Sequence, residues 1–142
     1  MPELRATRLL VAGRATGDVL VLDEPLSLWG GLDARTGRII DPRHPQVGES
    51  MRHRVVVLER GKGSSSSSSI LLEAVRQRTA PRALLLRETD GILALGATVA
   101  REMYGRYPPV LVLAGDDYDC LRTGQRVEIE EGGIVRVSPG PA

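Results

Sequence analysis

A strand-like segment, Arg54-Val55-Val56-Val57-Leu58, leads through Gly61-Lys62-Gly63 into six consecutive serines, Ser64 to Ser69. A helix-like segment, Ile70-Leu71-Leu72-Glu73-Ala74-Val75, follows at once. A Gly/Ser-rich run by itself reads as a flexible linker, because it buries too little apolar surface to order the chain. The apolar flanks argue for a different reading. A strand, a tight Gly-x-Gly turn and a helix opening in hydroxyl residues gather unpaired backbone N–H groups and hydroxyls in one crevice. Such a crevice suits an anionic substrate and a serine poised for chemistry.

Two phosphate and nucleophile motifs fail on spacing. A nucleotide P-loop needs lysine directly before the hydroxyl residue and a glycine six positions before that lysine. Here Gly63 separates Lys62 from Ser64, and the first glycine is missing. A nucleophile elbow, Gly-x-Ser-x-Gly, needs a glycine after the serine, and none follows. A disordered linker and a substrate-binding turn with a catalytic serine remain. A serine serves as a base only where N–H donors or a cation stabilise its alkoxide, and a helix N-terminus adds a favourable dipole. Lys62 could add charge or simply be a solvated surface lysine.

The rest of the chain reads as β-rich ends around a central β-α-β-α-β portion. Arg8 to Gly13 and Asp18 to Asp23 are β-like runs that predict a hairpin turning at Thr16-Gly17. Pro42 and Pro45 punctuate a loop around His44. His53 to Leu58 reads as the strand feeding the turn, with a helix from Ser67 to Arg78 ending before Pro81. Ala83 to Leu86 and Val110 to Ala114 read as buried strands. Between them a helix within Leu93 to Tyr104 is closed by Gly105. Arg126 to Glu130 and Ile134 to Val137 alternate around Gly132-Gly133, as a half-exposed hairpin does.

The 142 residues fit one domain, residues 1–142, and 42% hydrophobic with 26% charged residues is an ordinary globular balance. A formal charge of +1 gives no reason to invoke nucleic acid or an anionic membrane as partner. No apolar stretch approaches a membrane span and the N-terminus carries no leader pattern, so a cytoplasmic protein is expected. One cysteine and two histidines, with no second ligand at helical spacing, lead us to expect no metal site built by this chain alone.

Other conspicuous residues have plain readings beside functional ones. Trp29-Gly30-Gly31 either plugs the core edge with the lone tryptophan or lines a substrate cleft, where glycines permit close backbone approach. Asp116-Asp117-Tyr118-Asp119 reads as a solvated turn at a strand end, and Cys120 as a small buried apolar residue. His44 reads as a loop residue rather than a base.

Gly61-Lys62-Gly63-Ser64-Ser65, entered from a Val-rich strand, resembles the Gly-x-Gly-Ser-Ser turn in the swivelling domain of aconitases. The wider pattern resembles the small subunit of aconitase X. The matching pieces are Pro25 to Gly31, Thr36 to Asp41 with His44-Pro45, the serine run with Leu71-Leu72-Glu73, and Ala80 to Ala83. Together they cover roughly residues 7 to 137, in the family's order.

The resemblance implies an α/β fold, a swivelling β/β/α domain that closes over the active site of a separate large subunit. That partner would carry the iron or iron–sulfur centre, whose metal binds the leaving hydroxyl as Lewis acid. The implied reaction is dehydration of a small hydroxy acid, either cis-3-hydroxy-L-proline or a phosphorylated mevalonate. The unbroken serine run looks more like the hydroxyproline type. Ser64 would take the substrate proton, while Gly63, Ser65 and Ser66 hold substrate with Trp29, Gly30 and Gly31. Aconitase itself has an arginine after its two serines where this chain has Ser66. The competing class is a non-catalytic assembly subunit whose turn binds an anion without chemistry.

Overall fold

The computed structural model describes residues 2–139, so both ends of the domain expected over residues 1–142 lie outside the described residues. The N-terminal half carries β1 (Glu3–Arg5), β2 (Arg8–Val11), β3 (Ala15–Val21), α1 (Leu28–Gly31), β4 (Leu32–Asp33) and β5 (Arg38–Ile39). There follow β6 (Val55–Leu58), α2 (Ser67–Arg76), β7 (Ala83–Leu86), α3 (Gly91–Tyr104) and β8 (Val110–Val112). The chain closes with α4 (Gly115–Asp119), β9 (Arg126–Ile129) and β10 (Ile134–Ser138).

Eight strands form one sheet in the order β1-β10-β9-β3-β6-β7-β8-β2, and β4 pairs β5 separately. From β3 to β8 the neighbours are parallel; β1, β10 and β9 continue antiparallel on one side and β2 on the other. Only Ala6 and Thr7 separate β1 from β2, which stand at opposite ends of this order. Their N–H groups donate to Gly133 and Val112 carbonyls, each at 2.8 Å. The two edges are therefore drawn together and the sheet curls around an interior.

The curl explains why Val55-Val56-Val57-Leu58 is buried throughout. Side chains alternate across a strand. Val55 and Val57 join an inner core with Leu4, Leu85, Leu111, Val127 and Val135. Val56 and Leu58 face an outer core with Leu84, Leu86, Leu71, Ala74, Leu93 and Ala97, where α2 and α3 cover the sheet. Parallel strands joined by helical crossovers are apolar on both faces for this reason.

Asp90 caps the start of α3, and Gly105, at φ +69°, ends it in the left-handed conformation while its N–H returns to the Arg101 carbonyl. Gly96 brings the helices close: a Cβ there would lie 2.8 Å from the Ser68 carbonyl oxygen. Among the described residues no helix is long and apolar enough to cross a membrane.

The central β-α-β-α-β portion and the β9–β10 hairpin stand as expected. The N-terminal hairpin does not. Thr16 and Gly17 lie inside β3, opposite Glu128 and Val127 of β9, and β2 pairs β8 instead. Turn-forming residues here are overridden by tertiary pairing, and a Cβ on Gly17 would press on the His53 carbonyl at 3.2 Å. Cys120 is exposed rather than buried, its thiol donating to the Asp116 carbonyl at 3.2 Å. The acidic segment Asp116 to Asp119 is solvated as expected but forms the short helix α4 rather than a plain turn.

Candidate functional site

β6 delivers the chain to the carboxyl end of the parallel strands, the edge where open α/β sheets place ligands. Gly61 is fixed on two sides there. Its N–H donates to Asp90 Oδ2 at 2.9 Å, and it forms a parallel bridge with Leu26. The other oxygen of Asp90 accepts the N–H groups of Ile92 and Leu93, both at 3.0 Å. One carboxylate thus joins the glycine turn to the helix that follows β7. A Cβ at Gly61 would meet Asp90 Oδ2 at 2.8 Å, so a larger residue there must push the carboxylate aside.

Gly63 turns the chain into the serines at φ +84°, a left-handed conformation that glycine adopts without strain. Ser64 then makes a local turn: its Oγ accepts the Ser66 N–H at 3.0 Å and its carbonyl accepts the Ser67 N–H at 3.0 Å. The backbone N–H groups of Gly63, Ser64 and Ser65 donate to no protein acceptor among the described residues. Three successive free N–H groups ahead of a ten-residue helix form an anion-binding concavity.

A pocket of about 260 Å³ opens beside this turn, lined by Gly63, Ser64, Lys62, Ser67, Leu26 and Leu28 among others. Lys62 is exposed and has no ion pair among the described residues. Asp90 also lines the pocket, with both oxygens occupied as hydrogen-bond acceptors. The site therefore offers free N–H donors, a free ammonium and one hydroxyl, a combination suited to an anion.

Ser67 links the turn to the tryptophan loop. It is only 4% exposed, and its Oγ accepts the Trp29 N–H at 3.2 Å. Trp29 itself is 57% exposed, so it does not plug the core edge. Gly30, at φ +79°, has open space around it, and Gly31 packs against Leu26. Of the residues singled out from the sequence, Gly63 and Ser64 reach the pocket wall. Ser65 is exposed and Ser66 heads α2; neither lines the pocket. Trp29, Gly30 and Gly31 form the adjoining loop, joined to the site through Ser67 rather than lining it.

His44 is buried, and both of its ring nitrogens are engaged. Nε2 lies 3.0 Å from the Glu24 carbonyl, and Nδ1 accepts the Gln46 N–H at 3.0 Å. That pattern fits a neutral ring donating from Nε2, which holds the proline loop. Two members of the site escaped the sequence reading. Asp90 had a signal, an Asp-Gly pair at the start of an apolar helix; Ser67 had none that separated it from its five neighbours. Among the described residues no three His, Cys, Asp or Glu side chains gather as a metal site.

Comparison with known proteins decides the family. The aconitase X swivel domain matches residues 4–137. The chain belongs to that family. The crystal structure of Thermococcus kodakaraensis aconitase X in its holo form superposes with a TM-score of 0.85 at 32% identity, covering 96% of this chain and 98% of that one. The β/β/α swivel fold implied by the family resemblance is therefore present. Among curated relatives, cis-3-hydroxy-L-proline dehydratase of Pseudomonas aeruginosa is 43% identical over 125 residues, 88% of this chain. This aconitase X swivel domain spans about a fifth of that relative's length (21%). Phosphomevalonate dehydratase small subunit of Methanothermobacter thermautotrophicus is 41% identical over 93 residues, 66% of this chain and 71% of that protein.

Proposed function

We propose that this chain is the small, swivelling subunit of a cytoplasmic aconitase X-type dehydratase that removes water from cis-3-hydroxy-L-proline, with Ser64 as base. The observation that carries the reading is the state of Ser64. Its Oγ accepts a backbone N–H from Ser66 at 3.0 Å, beside three further N–H groups that have no protein acceptor among the described residues. Hydrogen bonds to the charged form lower a group's pKa, so this turn favours a serine alkoxide more than a free serine in water does.

In the reaction, Ser64 takes the proton from the carbon next to the one bearing the hydroxyl. The C–H electron pair becomes a C=C bond, and the C–O bond breaks with its electron pair on oxygen. The departing hydroxide takes up one proton from solvent to leave as water, while Ser64 later returns its proton to solvent. The N–H groups of Gly63, Ser64 and Ser65 and the Lys62 ammonium hold the substrate carboxylate, with Ser66 bracing Ser64. Trp29, Gly30 and Gly31 cover the substrate from the adjoining loop. No residue grouping in the described chain fits an iron or iron–sulfur centre, and we assign that centre to a large subunit.

The substrate choice rests on the unbroken serine run and on the higher identity to the hydroxyproline enzyme, 43% over 88% of the chain, against 31–34% over 92–94% of the chain for phosphomevalonate dehydratase small subunits matched over a similar span. Both substrates are implied by the family resemblance, so the assay must include both. The chain is co-expressed with its large-subunit partner, anaerobically and with iron, and each substrate is offered. Turnover of cis-3-hydroxy-L-proline that requires both chains supports the proposal. Turnover of phosphomevalonate alone transfers the chain to the other branch, and turnover of neither leaves a non-catalytic anion-binding subunit.

A further inference from the structure

At the opposite end of the parallel strands from the serine turn lies a second pocket, of about 370 Å³. Its lining comes from the segments that enter the strands: Ala15 at the start of β3, His53 before β6, Arg82 before β7, and Tyr107 and Pro108 before β8. Arg78, just past α2, completes the rim. Four of its eleven lining residues are arginines, Arg14, Arg78, Arg82 and Arg106, and none is acidic. With a formal net charge of only +1, the chain has carboxylates enough to neutralise such a cluster, and places none in it.

Three observations set this pocket apart from an ordinary basic surface. Arg14, Arg78 and Arg82 make no side-chain hydrogen bond or ion pair among the described residues, whereas Arg54, Arg87, Arg126 and Arg136 elsewhere on the molecule are paired with acids. Arg106 is anchored: its Nη2 donates to the Val75 and Arg76 carbonyls, both at 3.1 Å, and its guanidinium lies over the Tyr104 ring. That leaves Arg106 Nε as the one buried side-chain polar atom without a partner among the described residues. Finally, the only two non-glycine residues with positive φ among the described residues, His53 at +60° and Arg78 at +61°, both line this pocket. Backbone held in that sparsely populated region concentrates where a side chain must be aimed.

We propose that this pocket binds a small, polyvalent oxyanion of the phosphate class. Guanidinium forks match phosphate oxygens with paired, charge-assisted hydrogen bonds, and several converging on one cavity select charge above shape. The volume suits a small phosphorylated molecule. Such a ligand relieves the repulsion among the arginines, and one that draws the Arg106 side chain toward it gives Nε an acceptor. Bound there, it bridges the ends of α2 and α3 with the strand entries. It occupies a place remote from the serine turn at the other end of the same strands.

The test is titration of the full chain with pyrophosphate, followed by calorimetry and by backbone amide NMR shifts. Saturable binding is expected with half-saturation below about 1 mM at low salt, weakening as salt rises. Shifts should centre on Ala15, His53, Arg78 and Tyr107. Arg14→Ala and Arg82→Ala, both exposed and unpaired, should each weaken binding about tenfold with unchanged melting temperature. Arg126→Ala, outside the pocket, should leave it unchanged. Non-saturating uptake overturns the proposal, as does binding lost in Lys62→Ala but kept in both arginine variants. If the arginine variants bind pyrophosphate normally but fail to join a large subunit, the pocket belongs to an acidic partner segment and the proposal is likewise wrong.

Discussion

Asp90 holds Gly61 by a 2.9 Å hydrogen bond from the glycine N–H, while its second oxygen caps α3 through Ile92 and Leu93. The candidate site therefore depends on a side chain 29 positions away in sequence, contributed by a different β-α unit. Replacing Asp90 by Ala removes a helix cap, worth about 1 kcal/mol, and strands the Gly61 N–H, costing about 1–3 kcal/mol. We expect Asp90→Ala to lose roughly 2–4 kcal/mol in urea unfolding. Asp90→Asn should lose about half of that, because an amide oxygen can still cap the helix while its NH₂ cannot accept from Gly61.

Gly96 governs how closely α3 approaches the serine end of α2. An alanine there gains about 1 kcal/mol of helix propensity. Its Cβ, however, would stand 2.8 Å from the Ser68 carbonyl oxygen, a backbone atom that cannot swing aside, and 3.2 Å from Leu71. Overpacking of this kind costs about 1–3 kcal/mol. We expect Gly96→Ala to lower the melting temperature despite the better helix former, with amide NMR shifts concentrated in residues 64 to 72. An unchanged or raised melting temperature would mean that the helices are free to separate.

Tyr118 gives the fold an alkaline limit. Burial pushes its phenol from 10 up to about 12, against the opposing pull of the Arg87 cation that lies 4.8 Å from the ring centroid. The folded state thus keeps the proton at pH values where the unfolded chain has released it. This contribution is complete below pH 10 and is lost as the pH rises toward 12. After allowance for the partial exposure of the ring it amounts to roughly 1–2 kcal/mol. Unfolding free energy measured between pH 9 and about 12 should fall more steeply in the native chain than in Tyr118→Phe. Parallel slopes would show that the phenol is not shielded.

Much of the fold was legible because its signals are local. Val55 to Leu58, Ala83 to Leu86 and Val110 to Val112 are continuous apolar runs, which sheets covered on both faces require. Gly105 marks the end of α3 by its own backbone preference. The failures share another cause. Thr16 and Gly17 are good turn residues, but pairing with β9, more than 100 positions away, holds them extended. β1 is three residues long and exists because β10 accepts it, a contact that no local pattern encodes. Cys120 misled because its residue type favours burial, while its exposure is set by the path of the chain after α4, which is a tertiary matter. At the site, the turn and Ser64 were readable from a short motif. The Asp90 clamp and the Ser67–Trp29 link were not, since each joins segments that only the fold brings together.

The role of Ser64 is the central claim, and kcat of the Ser64→Ala variant in the assembled two-subunit enzyme tests it most directly. Loss of the base should lower kcat by about two to four orders of magnitude, with assembly and substrate KM little changed. Wild-type kcat in a correctly assembled Ser64→Ala enzyme would show that another group takes the proton and that the serine turn only binds.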